Sequence, residues 1–198
     1  MSQVSSRPRK YHLIYIPGLG DSYDHLRRAG LFTWRLWGVS TELVPVQWYG
    51  GGDLEARYAM VAAAVNRAQW RGCRVILVGE SAGASLAINV ASRCPDVDGL
   101  MTICGIANPR AEVSAAIRKK SPAFNQSLGW LKADIDELDT TKVCNLRAVI
   151  DPVVPRGSSV ILGAKQRVIW SVGHIVTIAL CLSLYGGLVV YLARSIKK

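Results

Sequence analysis

Short apolar runs alternate with longer stretches of helical spacing along most of the chain. Tyr11-His-Leu-Ile-Tyr-Ile16 is β-rich and runs into Pro17-Gly18-Leu19-Gly20, so a strand is predicted to close in a glycine-rich turn. Asp21 or Ser22 can cap a helix over 23–37, with Leu26, Leu31, Trp34 and Leu36 available for its buried side. A second strand is expected over 41–48, after which Tyr49-Gly-Gly-Gly52 breaks the chain. Asp53 then caps a helix over 54–70, where Ala, Val and Met recur at helical spacing. Further strands are predicted at 73–78, 97–104, 146–150 and 166–171, with helices at 82–94 and 158–164. The stretch 106–142 breaks the alternation. It mixes Pro109, Pro122 and Gly129 with charged residues, and it reads as a couple of helices above the sheet, a small cap or insertion.

Strands alternating with helices call for a three-layer α/β/α sandwich around a mostly parallel sheet of about six strands. A chain of 198 residues can bury a full core as one domain. In such sheets the working residues gather at the carboxyl ends of the strands.

One of those ends stands out. Arg74-Val-Ile-Leu-Val-Gly79 leads straight into Glu80-Ser81-Ala82-Gly83 and an alanine-rich helix, with no room for a longer loop. Glycines two residues either side of a serine suit a turn that strains the serine backbone and brings strand and helix close together. The hydroxyl would stand at a helix N-terminus, where backbone N–H groups stabilise negative charge. Taken alone, the five residues also fit an ordinary Gly-Ser turn. Asp151 and His174 each sit just past a predicted strand end, although Asp151 before Pro152 also fits a turn cap and His174 a helix start. His12 lies inside the first strand and His25 on the helix after the glycine turn, so neither matches a base at a strand end. Asp96 and Asp98 precede a strand, while Asp134, Asp136 and Asp139 belong to a polar stretch that reads as a solvated face.

The order Ser81, Asp151, His174, the motif Gly79-Glu-Ser-Ala-Gly83 and the early turn Ile16-Pro-Gly-Leu-Gly20 together resemble the α/β-hydrolase family. Asp151-Pro-Val-Val-Pro155 and Gly173-His174 are similar to that family's acid and base loops, so the resemblance covers 11–174. It implies a catalytic domain with Ser81 as nucleophile, His174 as base and Asp151 as acid. It also implies an oxyanion hole from the N–H groups of Leu19 and Ala82, with Gly18, Gly20, Gly79 and Gly83 shaping the turns, and no metal or cofactor. The implied activity is hydrolysis of carboxylic esters, small-molecule or lipid-like. An acyltransferase or thioesterase would use the same acyl-enzyme, and an idle hydrolase fold acting as a membrane-associated binding module is a third reading. The family's first antiparallel hairpin has no counterpart here.

Charge and the chain ends add the rest. The net charge is +10, from 24 Lys and Arg against 14 Asp and Glu. The basic residues are scattered and form no stripe interleaved with aromatics, so nucleic acid is not the expected partner. Residues 1–10 read as a basic tail with no apolar stretch for export, and the five cysteines show no C-x-x-C spacing. Both point to a cytoplasmic catalytic domain. Residues 175–193 carry no charge and precede Arg194, Lys197 and Lys198. As one helix they would extend about 28 Å, close to a bilayer's hydrocarbon thickness. A possible membrane segment and a final helix covered by the sheet and a partner both fit 175–198. Nothing in the sequence indicates an oligomeric state.

Overall fold

The computed structural model describes residues 9–196. The first eight residues of the basic tail and the terminal Lys197 and Lys198 lie outside the described residues. Six strands, β1 (Tyr11–Ile16), β2 (Ser40–Leu43), β3 (Arg74–Glu80), β4 (Gly99–Ile103), β5 (Val143–Ile150) and β6 (Lys165–Val172), form one sheet. Its order is β2-β1-β3-β4-β5-β6, and every neighbouring pair is parallel. The central strands read as unbroken apolar runs because both faces are covered: β4 is buried along its whole length and β3 at every residue after Arg74.

Among the described residues, eight α-helices flank the sheet: α1 (Asp24–Trp34), α2 (Leu54–Trp70), α3 (Gly83–Arg93), α4 (Ala115–Lys120), α5 (Pro122–Asp136), α6 (Arg156–Ser159), α7 (His174–Leu182) and α8 (Gly186–Arg194). Residues of α2, α3 and α5 share one buried cluster with Ile14, Ile16, Val75 and Leu77 of the sheet. Those of α1, α7 and α8 share the other with Leu13, Tyr15, Ile76 and Val78. The strand alternation thus sends neighbouring side chains into opposite layers.

Several predicted elements are placed differently. β2 ends at Leu43 rather than at Trp48: Pro45 has no N–H to donate, and Gln47 turns the chain with φ 52. α6 is a single turn at 156–159, and Gly163, at φ 80, redirects the chain into β6. Of the stretch expected above the sheet, α5 instead packs against α3 and α2 and buries Ala123, Phe124, Leu128 and Leu131 in the core. Asp134 is buried rather than solvated, accepting from Asn89 Nδ2 at 2.6 Å and Arg93 Nε at 2.8 Å.

The apolar run 175–193 is not one helix. α7 and α8 meet at a 76° bend, and among the described residues no single helix is long and apolar enough to cross a membrane. The break at Ser183–Tyr185 is followed by Gly186 and Gly187, whose missing side chains let α8 fold back over α1. A Cβ on Gly186 would come within 2.8 Å of Trp34, and one on Gly187 within 2.7 Å of Trp37. The single helix expected over 175–193 is therefore corrected to a bent pair.

β1 and β3 lie side by side, yet α1 follows β1 onto one face and α3 follows β3 onto the other. The chain reverses its direction of winding between them, which leaves a crevice at their carboxyl ends.

Candidate active site

Ser81 occupies that crevice. Its φ of 50 places a non-glycine residue in the left-handed region, a strained conformation held from several sides. Its N–H donates to Ile103 O at 3.0 Å, and its carbonyl accepts from Ala84 N at 3.1 Å and Ile106 N at 3.0 Å. The flanking glycines are required by contact. A Cβ on Gly79 would lie 2.5 Å from Ala84 Cα, and one on Gly83 would collide with the carbonyl oxygens of Ile16 and Pro17. Turn, strand and helix therefore close on one another only without side chains at these two positions.

His174 opens α7 and Asp151 follows β5, and both are buried or nearly so. His174 Nδ1 lies 2.7 Å from Asp151 Oδ2, and His174 Nε2 lies 2.9 Å from Ser81 Oγ. An ionised carboxylate only accepts, so Nδ1 carries the proton and Nε2 is left to accept from the serine hydroxyl. Asp151 Oδ1 accepts from the N–H groups of Val153 at 2.9 Å and Val154 at 2.8 Å. Burial pushes the Asp151 carboxyl up, but the hydrogen bonds from His174 and the two N–H groups outweigh it and leave its pKa below the ordinary value. The other histidines are engaged elsewhere: His12 with Ser40 and Glu42, His25 with Ser22 O.

The glycine turn after β1 faces Ser81 across the crevice. A Cβ on Gly18 would sit 2.7 Å from Ser81 Cβ, so the backbone of this turn runs directly over the serine. Gly20 takes φ 97. Neither Leu19 N–H nor Ala82 N–H donates within the turns, loops or side-chain contacts of the described residues. Trp48 braces the turn from below, donating from Nε1 to Pro17 O at 2.9 Å.

Beneath the turn lies a buried charged cluster that the sequence reading missed. Glu80, next to Ser81, is 2 % exposed and receives Arg27 Nη2 at 2.6 Å, Arg27 Nε at 2.8 Å and Tyr15 Oη at 2.6 Å. Arg27 Nη1 also donates to Gly20 O at 2.8 Å and Asp24 Oδ1 at 3.0 Å, and Nη2 reaches Leu19 O at 3.4 Å. One guanidinium thus joins the serine turn to the glycine turn. Burial works against its charge, but the bonds and charge of Glu80 prevail and raise its pKa. A signal was present in the pattern: Arg27 shares the stripe of Leu31 and Trp34 on α1, at i, i+4 and i+7, where a charge needs a buried partner.

Cys104, one of the five cysteines without C-x-x-C spacing, lies at the same site. It directly follows β4, at φ 48, and its Sγ lies with Asp151 and His174 in a group whose candidate ligand atoms are all within 4.8 Å of one another. This group makes a poor metal centre. Asp151 and His174 are already bonded to each other, and burial, then the nearby Asp151 charge, pushes the thiol up to about 12, whereas a metal takes the thiolate.

No protein-family model matches the sequence, and no curated protein is significantly similar to it. Solved structures do match. A monoacylglycerol lipase from Paleococcus ferrophilus superimposes with a TM-score of 0.69 at 10% identity, over 96% of this chain and 97% of its own. Carboxyl esterase 2 from Tuber melanosporum gives 0.69 at 14% identity, over 98% of this chain and 79% of its own. The esterase domain of a Rhodothermus marinus protein gives 0.64 at 17% identity, over 96% and 89%. At these identities the likeness is one of fold.

Proposed function

We propose that this chain, which has the α/β-hydrolase fold, is a serine hydrolase of carboxylic esters with Ser81 as nucleophile, His174 as base and Asp151 as the acid. The observation that carries this reading is the chain of contacts Ser81 Oγ to His174 Nε2 at 2.9 Å and His174 Nδ1 to Asp151 Oδ2 at 2.7 Å. The lipase and esterase names of the structural neighbours support the ester as the bond attacked.

Ser81 Oγ attacks the acyl carbonyl carbon as its proton passes to His174 Nε2, and Asp151 stabilises the imidazolium. The carbonyl oxygen becomes an oxyanion facing the N–H groups of Leu19 and Ala82, and each such donor is worth about 3 kcal/mol. Collapse expels the alcohol, which takes the proton from His174. Water then attacks the acyl-serine with His174 again as base, releasing the carboxylic acid. Exposed aliphatic side chains at Ile150, Val153, Val172 and Ile175, beside the acid and base in sequence, favour an apolar acyl or alcohol group.

A fluorophosphonate probe tests the reading. Labelling of the folded protein, abolished in Ser81→Ala, is the expected result, with p-nitrophenyl esters of increasing chain length then ranking the acyl group. Absence of labelling would favour an idle fold. Labelling with turnover only in the presence of an alcohol or thiol acceptor would favour the transferase.

A further inference from the structure

α7 and α8 bury one side on the sheet, and their other side is uncovered. Ile175 is 73%, Leu184 83% and Tyr191 68% exposed, with Val176 and Leu188 also open to solvent. Phe32 of α1, with Leu36 and Trp37 in the turn just past its end, extends this face; α1 packs along both helices, and Trp37 lies against Gly187. An apolar face of this extent marks a contact with a protein or with lipid.

Charge decides between the two. No residue from Ile175 to Ala193 is charged, and after Asp151 the sequence has no acidic residue and six basic ones. Exposed cations flank the face: Arg28 and Arg35 on the β2 side of α1, where the neighbouring Glu42 is already paired with His12 and Arg67, Arg167 on β6 in the same layer as Ile169, and Arg194 at the end of α8. None of these four forms an ion pair among the described residues. Aliphatic and aromatic groups flanked by cations without ion-pair partners match an acyl boundary beneath anionic headgroups.

We propose that the outer face of α1, α7 and α8 docks on the surface of an anionic bilayer, lying in the interface without crossing it. Ile175 and Val176 directly follow His174, so docking sets the mouth of the active site against the lipid. That consequence rests on the ester-hydrolase reading; the docking does not.

The test is flotation of the full chain with vesicles of phosphatidylcholine, alone or in equal parts with phosphatidylglycerol. Binding to the mixed vesicles is expected to be at least about tenfold tighter and to weaken with salt, since each cation near the surface contributes about fivefold. The double variant Leu184→Glu, Tyr191→Glu is expected to lose about tenfold or more. Arg35→Glu with Arg167→Glu is expected to lose a similar factor on mixed vesicles alone, and this pair carries the test if the first variant melts abnormally. Ser81→Ala is expected to bind like the wild type, which separates docking from catalysis. Absence of binding to mixed vesicles at low salt, or binding unchanged in the variants, overturns the proposal. So does a dimer by light scattering that the Leu184 and Tyr191 changes dissolve, because a second copy would then be the partner.

Discussion

Replacing Arg27 by Met separates stability from positioning. The Arg27 and Glu80 side chains are 7% and 3% exposed, so the pair is out of water. Without the guanidinium, Glu80 Oε1 loses its partner and Oε2 keeps only Tyr15. Removing one member of a buried pair costs about 3–5 kcal/mol, which for a chain of this size lowers the melting temperature by about 6–20 °C. The carbonyls of Leu19 and Gly20 lose their tie as well, so the glycine turn is freed above Ser81. Fluorophosphonate labelling is expected to slow about 100-fold, the effect of one lost oxyanion donor. The double variant Arg27→Met, Glu80→Met removes the stranded charge and is expected to recover most of the stability, because an apolar pair of similar volume is often neutral. Its labelling should stay slow, since nothing replaces the tie to the turn. Urea melts and labelling rates on the two variants decide the matter. A single variant within about 1 kcal/mol of the wild type, or a double variant that labels at the wild-type rate, would refute the reasoning.

Asp151→Asn is expected to cut labelling about 10⁴-fold by releasing the His174 tautomer. The Asp151 pKa is lowered in the folded chain, so its stabilisation is full above the unfolded carboxyl value near 4 and is lost as pH falls through the folded one; melts from neutral to acid pH should show this loss in the wild type and not in the variant. Gly83→Ala drives a Cβ into Ile16 O and Pro17 O and should cost at least about 3 kcal/mol, whereas Gly129→Ala on the exposed face of α5, with nothing within 4 Å, should gain about 0.5–1 kcal/mol in the same urea assay. Cys104, 1% exposed with its thiol pushed up to about 12, should resist a disulfide reagent until the chain unfolds; mapping modified cysteines by mass spectrometry checks this.

Much of the fold is legible locally. Period-two and period-3.6 patterns report which faces are buried, and glycines at turns report backbone contact, so the β1 turn, the Ser81 turn and the long helices follow from residues near one another. Glu80 is the informative exception: an acid next to an apolar strand signals a buried partner, but its identity depends on how α1 lies across β3. The bend between α7 and α8 is similarly hidden, because the glycines at 186 and 187 matter only through tryptophans some 150 residues earlier in the chain. Within the stretch 106–142, the packing of α5 is hidden for the same reason, since Phe124 and Leu131 find their burial against α2 and α3.

The sequence by itself determined the alternating architecture, the strained turn at Ser81 and the identities of three residues at strand ends, all consequences of local sterics and periodicity. Only the tertiary structure decided that Ser81, His174 and Asp151 meet within hydrogen-bonding distance, that Arg27 ties the two turns together, and that the apolar terminus folds back on the sheet. Those outcomes depend on contacts between segments far apart in the chain, where packing and the burial of charge set the geometry.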